Sequence, residues 1–136
     1  MAAKTTTLAN SVLDRVLKNN AQFAYAWPAT VYLALFTTDP TIAGIITGEV
    51  VPTSGDYTRQ AVTWGTISSG SVSNSVAVTY SVAVGAWGTL GWSGIMDVST
   101  LGSGTMLYQG PLATSKIVGI GDQVTFAIGA VVVNEN

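Results

Sequence analysis

Histidine and cysteine are both missing from this chain of 136 residues, and charge of either sign is scarce. Without Cys there is no disulfide framework, no thiolate nucleophile and no Cys-based zinc site, and the redox compartment stays undetermined. Without His, general acid–base chemistry near neutral pH falls to paired carboxylates, one of them with a raised pKa. The acids Asp14, Asp39, Glu49, Asp56, Asp97, Asp122 and Glu135 never stand closer than seven residues apart in sequence. Only a fold that brought two together would reopen catalysis. The simpler reading is turn and cap chemistry, since Asp39, Asp56 and Asp122 stand next to Pro or Gly. The cations Lys4, Arg15, Lys18, Arg59 and Lys116 are scattered, whereas phosphate neutralisation needs a clustered basic face. No nucleic-acid partner is expected.

Long apolar runs are absent as well. A membrane helix needs about 20 apolar residues, and the strongest stretch, Ala29–Phe36, has eight. The opening Met-Ala-Ala-Lys-Thr-Thr-Thr lacks the apolar core of a signal peptide. Neither a membrane partner nor a leader is expected, although mean hydropathy is +0.44. What the chain does have is apolar residues without charges to accompany them: 48% hydrophobic against 9% charged. Average soluble domains are about one-quarter charged. A lone globule of this composition would show water a surface with little to prevent association. The chain reads as a subunit of an assembly.

One domain spanning 1–136 is expected, since 14.0 kDa suits a single core. The one convincing helix lies within residues 1–20. Leu8, Val12 and Val16 recur at helical spacing with Leu13 and Leu17 beside them. Thr6 or Thr7 is a candidate cap, and Asn19-Asn20 suits a left-handed stop. A single apolar stripe must dock somewhere, on its own sheet or on a neighbouring subunit. Phe23, Tyr25 and Trp27 alternate ahead of Pro28, and Val31–Thr37, apolar on both faces, reads as a central strand. Residues 42–56 form a long loop, a length that is often functional. Beyond it the pattern is β: Tyr57–Thr66, Ser71–Tyr80, Gly85–Gly94 and then Ile95–Val98, Thr105–Gln109 ended by Pro111, and Gln123–Val133. Turn signals between these short strands predict a mainly β chain, an antiparallel β-sandwich of jelly-roll-like topology with one N-terminal α-helix.

No motif adds catalytic chemistry. The Gly85–Gly94 stretch lacks phosphate-binding spacing, and Asp39 with Glu49 lacks the ligand spacing of a cation loop. Catalytic, metal and cofactor residues are therefore expected to be none. The aromatics Phe23, Tyr25, Trp27, Trp87 and Trp92 suit a core, an interface core or, less well, a sugar-binding platform. The expected partner contacts are Leu8, Val12 and Val16 in the helix and Ile42, Ile45, Ile46, Val50 and Val51 in the loop, apolar residues that local structure does not obviously bury.

An ordered series of segments resembles a family of small tailed-bacteriophage virion proteins. It runs through Ala29–Thr41, Gly48-Glu49-Val50, Asp56–Trp64, Ser73-Asn74-Ser75, Trp87-Gly88-Thr89, Gly94–Asp97 and Leu107–Leu112, nearly the whole chain. Family members are often labelled tail fibre proteins, and similar small β proteins serve as capsid cement or decoration proteins in trimers. The loop Ile42–Val51 is longer here, with Ile45-Ile46 where the family is more polar. The resemblance implies a non-enzymatic structural protein, made in the host bacterial cytoplasm and carried on the capsid outer surface. Its implied partners are the major capsid protein and itself, as a homotrimer. Fibres extend through repeats or long coiled coils, which this chain lacks. A tail or tail-fibre-associated adhesion protein, carbohydrate-binding through Trp87 or Trp92, is the alternative.

Overall fold

A computed structural model describes residues 3–18, 27–51 and 55–135. Phe23 and Tyr25 lie outside them. A short strand β1 (Ala3–Lys4) leads into helix α1 (Thr6–Lys18). The main sheet also takes β2 (Tyr32–Phe36), β3 (Gln60–Ala61), β6 (Gly88–Met96) and β7 (Met106–Val118), in the order β1-β7-β6-β2-β3. Two smaller sheets pair β4 (Ser71–Ser73) with β9 (Val132–Asn134) and β5 (Val78–Thr79) with β8 (Thr125–Phe126). All pairings are antiparallel. The molecule is a mainly β sandwich with one N-terminal helix.

Strand alternation gives the main sheet two apolar faces. On one, Leu33, Leu35, Leu90 and Ile95 meet Tyr57, Val78, Tyr80, Trp87 and Val133 from the smaller sheets and their connections. Tyr57 stacks on Tyr80 at 5.7 Å, and Trp87 stands edge-on to both. On the other, Ala34, Phe36, Met96 and Met106 form a second cluster, flanked by Ile46 and Trp92. Gly94 belongs to that face by necessity, because a Cβ there would lie 2.8 Å from Met106 Cε and 3.2 Å from Phe36 Cε2. Val31–Thr37 is thus the central strand that its two-sided apolarity predicts, β2 being paired with both β3 and β6.

Three local expectations are corrected. Pro111 does not end a strand: β7 runs through it for 13 residues. Pro111 faces Trp92 where the register slips between Leu90 and Trp92, and a bulge tolerates a residue without an N–H. Ser71–Tyr80 and Gln123–Val133 are not single strands. Each is broken and feeds two sheets, because Asn74 is buried and ties down the chain around it. Asn74 Nδ2 donates to the carbonyls of Val76 (2.8 Å) and Ala127 (3.0 Å), and its Oδ1 accepts from Val131 N–H (2.9 Å). The helix cap is Thr5, ahead of both candidates. Its hydroxyl donates to Met106 C=O (2.6 Å) and accepts from Leu8 N–H (3.4 Å), pinning the helix start to β7.

Candidate functional site: an apolar outer surface on a locked interior

The charged groups fall into two sets. Glu49 and Arg59 are buried together. Arg59 Nε donates to Glu49 Oε1 (2.8 Å) and Nη2 to Oε2 (2.7 Å), while Nη1 reaches the carbonyls of Val98 and Ser103 (both 2.9 Å). Tyr57 O–H donates to Glu49 Oε1 (3.2 Å) and accepts from Leu35 N–H (2.9 Å). Burial, then the Glu49 charge, raises the Tyr57 pKa far above its ordinary value. Burial does the same for Tyr80, whose hydroxyl donates to Leu33 C=O (2.7 Å). Neither phenol is placed to lose a proton near neutrality. Glu49 is thus committed to Arg59 and Tyr57, while Asp39 Oδ1 accepts from Thr41 N–H (2.8 Å).

Asp56 and Asp122 are turn and strap residues, as the Gly beside each suggested, and Asp97 and Glu135 act in the same way without such a sequence sign. Asp56 accepts from Val84 N–H (2.6 Å) and Trp87 Nε1–H (3.2 Å), Asp97 from Thr105 N–H (2.7 Å), and Asp122 from Gly119 N–H (2.8 Å). Glu135 accepts from Lys4 Nζ (2.6 Å) and from Tyr108 O–H, tying β1 to the end of the described chain. Those two hydrogen bonds hold the Glu135 carboxyl below its ordinary pKa. Among the described residues, no three His, Cys, Asp or Glu gather as a metal site, and no helix is long and apolar enough to cross a membrane.

The outer surface is apolar. Fourteen large hydrophobic side chains among the described residues are exposed. Asp14, Glu49 and Arg59 are buried, so nine of the chain's twelve charges remain to balance them. Of the expected contact residues, Val16, Ile42, Ile45 and Val51 are outside. Val12 is half-buried, and Ile46 packs partly against the Phe36–Met106 cluster. Leu8 and Val50 are core residues. Val50 N–H donates to Leu35 C=O (3.0 Å) and Glu49 bridges Phe36, so this end of the expected loop is built into the fold beside β2. Leu13 and Leu17 are exposed, although the sequence reading placed them only beside the contact stripe. Val82, Val84, Ile117 and Ile120, also exposed, were missed altogether. The segment of Val82 and Val84 is tied to the turn that follows Ile120, where Gly121 N–H donates to Ala83 C=O (2.7 Å).

Besides a cavity of about 430 Å³ along Asn10, Leu13, Asp14, Leu17 and Lys18 of α1, two cavities open on the surface. One, about 360 Å³, is lined by Val31, Trp64, Val72, Leu107 and Val133 with Tyr108 and Glu135 at its side. The other, about 530 Å³, lies between β6–β7 and residues 130–133, and its one titratable side chain is Tyr108. Burial, then the Glu135 hydrogen bond, raises that phenol's pKa well above the ordinary value.

The family model described as podophage GP4 fiber I protein gp80 matches residues 3–134. The chain belongs to this family. It is a bacteriophage structural protein. No curated protein matches it in sequence. The segments that carry the family resemblance converge in space: Gly48-Glu49-Val50 and Asp56–Trp64 meet at the Glu49–Arg59 pair, and Ser73-Asn74-Ser75 surrounds the Asn74 clamp. They hold the scaffold of this chain together, and the exposed hydrophobic side chains are what that scaffold presents.

Proposed function

We propose that this gp80-family protein is a capsid cement or decoration protein, which binds the major capsid protein lattice on the outer surface of the virion and stabilises it. It acts as a closed homo-oligomer, a homotrimer by analogy with decoration proteins, with no catalytic step and no cofactor. The observation that carries this reading is the pairing of an interior locked by Glu49–Arg59 with an exterior of fourteen exposed hydrophobics. Burying one such side chain is worth roughly 1.5–3 kcal/mol. A few per subunit, multiplied across an oligomer, hold a shell through avidity.

The family's description favours a second reading, a tail-fibre-associated protein. Against it stands the shape of the unit: the longest helix among the described residues has 13 residues, and no repeat extends the molecule. A sugar platform on Trp87 loses its support, because Trp87 is buried against Tyr57 and Tyr80. Trp92 is half-buried beside Phe36.

Titrating purified protein onto heads that lack it tests the proposal. Saturable binding with a rise in the temperature of head disruption is expected. Binding to isolated tails alone, with heads unaffected, would favour the fibre reading.

A further inference from the structure

Helix α1 buries two polar residues, Ser11 and Asp14, beside Leu8, and leaves Leu13, Val16 and Leu17 exposed together with the polar Thr6, Thr7, Asn10, Arg15 and Lys18. It packs along β7 through Leu8, Ser11 and Asp14, the three residues it buries. Leu13, Val16 and Leu17 are 55%, 72% and 74% exposed. The exposed positions follow a heptad. With Leu13 at a, Val16 falls at d, Ala9 at the preceding d and Thr6 at the preceding a, while Asn10 and Leu17 fall at e. The buried Leu8, Ser11 and Asp14 occupy c, f and b, the opposite side. The helix's own sheet therefore takes one face and leaves Leu13, Val16 and Leu17 of the a/d/e face exposed, with Ala9 half-buried at the preceding d position.

We propose that this face is covered by the α1 helices of other copies of the same chain, packed parallel around a rotation axis as three or four helices. The proposal rests on the reading of the chain as an assembly subunit and identifies the surface through which it meets itself. A 3-4 spacing of apolar residues is self-complementary, because each a or d knob fits between residues of an identical neighbour. Charge permits this arrangement. The e and g positions, Asn10, Leu17 and Val12, carry no charge, so symmetric copies meet without repulsion. Arg15 and Lys18 sit at c and f, away from the seam.

Residue type favours more than two copies. Leu at a followed by a β-branched residue at d shifts parallel coiled coils from dimers towards trimers and tetramers, and Leu17 at e widens the seam. A helix this short would not associate unaided. Here its start is fixed by Thr5 on Met106 C=O and by Thr6 N–H on Ile42 C=O (2.9 Å). That second bond also brings the exposed Ile42 and Ile45 beside the helix N-terminus, continuing the apolar face. Leu13, Val16, Leu17, Ile42 and Ile45 together expose on the order of 500 Å², over half of what each partner buries in a standard interface.

The absence of native cysteine allows a clean test. Ala9→Cys and Val16→Cys, made singly in the full chain, should each form a disulfide between subunits under mild oxidation, since both lie on the seam. Arg15→Cys should not. Crosslinking at Arg15→Cys as readily as at Val16→Cys, or at none of the three, overturns the proposal, and so does failure of Ala9→Cys and Val16→Cys alone, the result expected for antiparallel helices. Sedimentation equilibrium provides the second arm. The parent chain should be trimeric or tetrameric, and Leu13→Glu, at an exposed site that leaves the fold intact by circular dichroism, should weaken association at least about tenfold. A parent chain that stays monomeric at high concentration overturns the inference wherever in the virion the protein resides. Loss of capsid binding with the oligomer intact would count against the cement role alone.

Discussion

Removing Glu49 while leaving Arg59 in place is the sharpest perturbation of this scaffold. The side chains of both are buried, 2% exposed for Glu49 and 0% for Arg59. Glu49→Ala leaves the guanidinium with two carbonyl partners and no counter-charge, and takes away the acceptor for Tyr57 O–H. Breaking a buried pair from one side costs about 3–5 kcal/mol, against a total stability of roughly 5–15 kcal/mol for a domain. Unfolding entropy of about 2.1 cal/mol/K per residue gives a 136-residue chain about 0.29 kcal/mol/K. The melting temperature should therefore fall by about 10–17 °C. Replacing both partners with apolar residues of similar volume, Glu49→Leu with Arg59→Met, should recover most of that loss, because no unpaired charge remains. Calorimetry on the parent, both single variants and the double variant completes the cycle. A Glu49→Ala melt within about 3 °C of the parent, or strictly additive single effects, would refute the claim that this pair locks the two segments together.

Asn74→Ala should cost about 2–4 kcal/mol in urea unfolding, because it strips partners from the buried carbonyls of Val76 and Ala127 and from Val131 N–H. Gly94→Ala should destabilise by about 1–3 kcal/mol through crowding of Met106 and Phe36, and adding Met106→Ala should relieve part of that strain in a thermal melt. The Glu135 carboxyl, held below its ordinary pKa of 4.5, contributes stability that is present above that value and lost as pH falls through the lower folded pKa. The pair with Lys4 is partly exposed, so its worth is under about 1 kcal/mol. Glu135→Gln should lower neutral stability by under about 1 kcal/mol, leave stability below the folded pKa unchanged, and so flatten the acid side of the stability profile slightly.

How much of this was legible in the sequence differs from element to element. The class was readable because alternation and helical spacing are local: β2 and α1 announce themselves. The breaks at Asn74 and the passage of β7 through Pro111 were not. A buried amide clamp and a bulge depend on what the rest of the chain brings opposite them. Glu49 and Arg59 gave no sequence sign of pairing, being ten residues apart across the loop that separates them. The helix shows the limit most clearly. Periodicity revealed an apolar stripe, and Leu8 alone among its members is fully buried. Periodicity reports that a helix has two faces, while the anchor at Thr5 on β7 decides which face turns inward.

The central claim is that the apolar exterior of this phage structural protein serves the capsid, and a reconstruction of the intact virion tests it most directly. The account predicts density for this sandwich on the outer surface of the capsid, with several copies grouped over the major capsid protein lattice. Density for it along the tail or its fibres, with a bare capsid surface, would contradict the account.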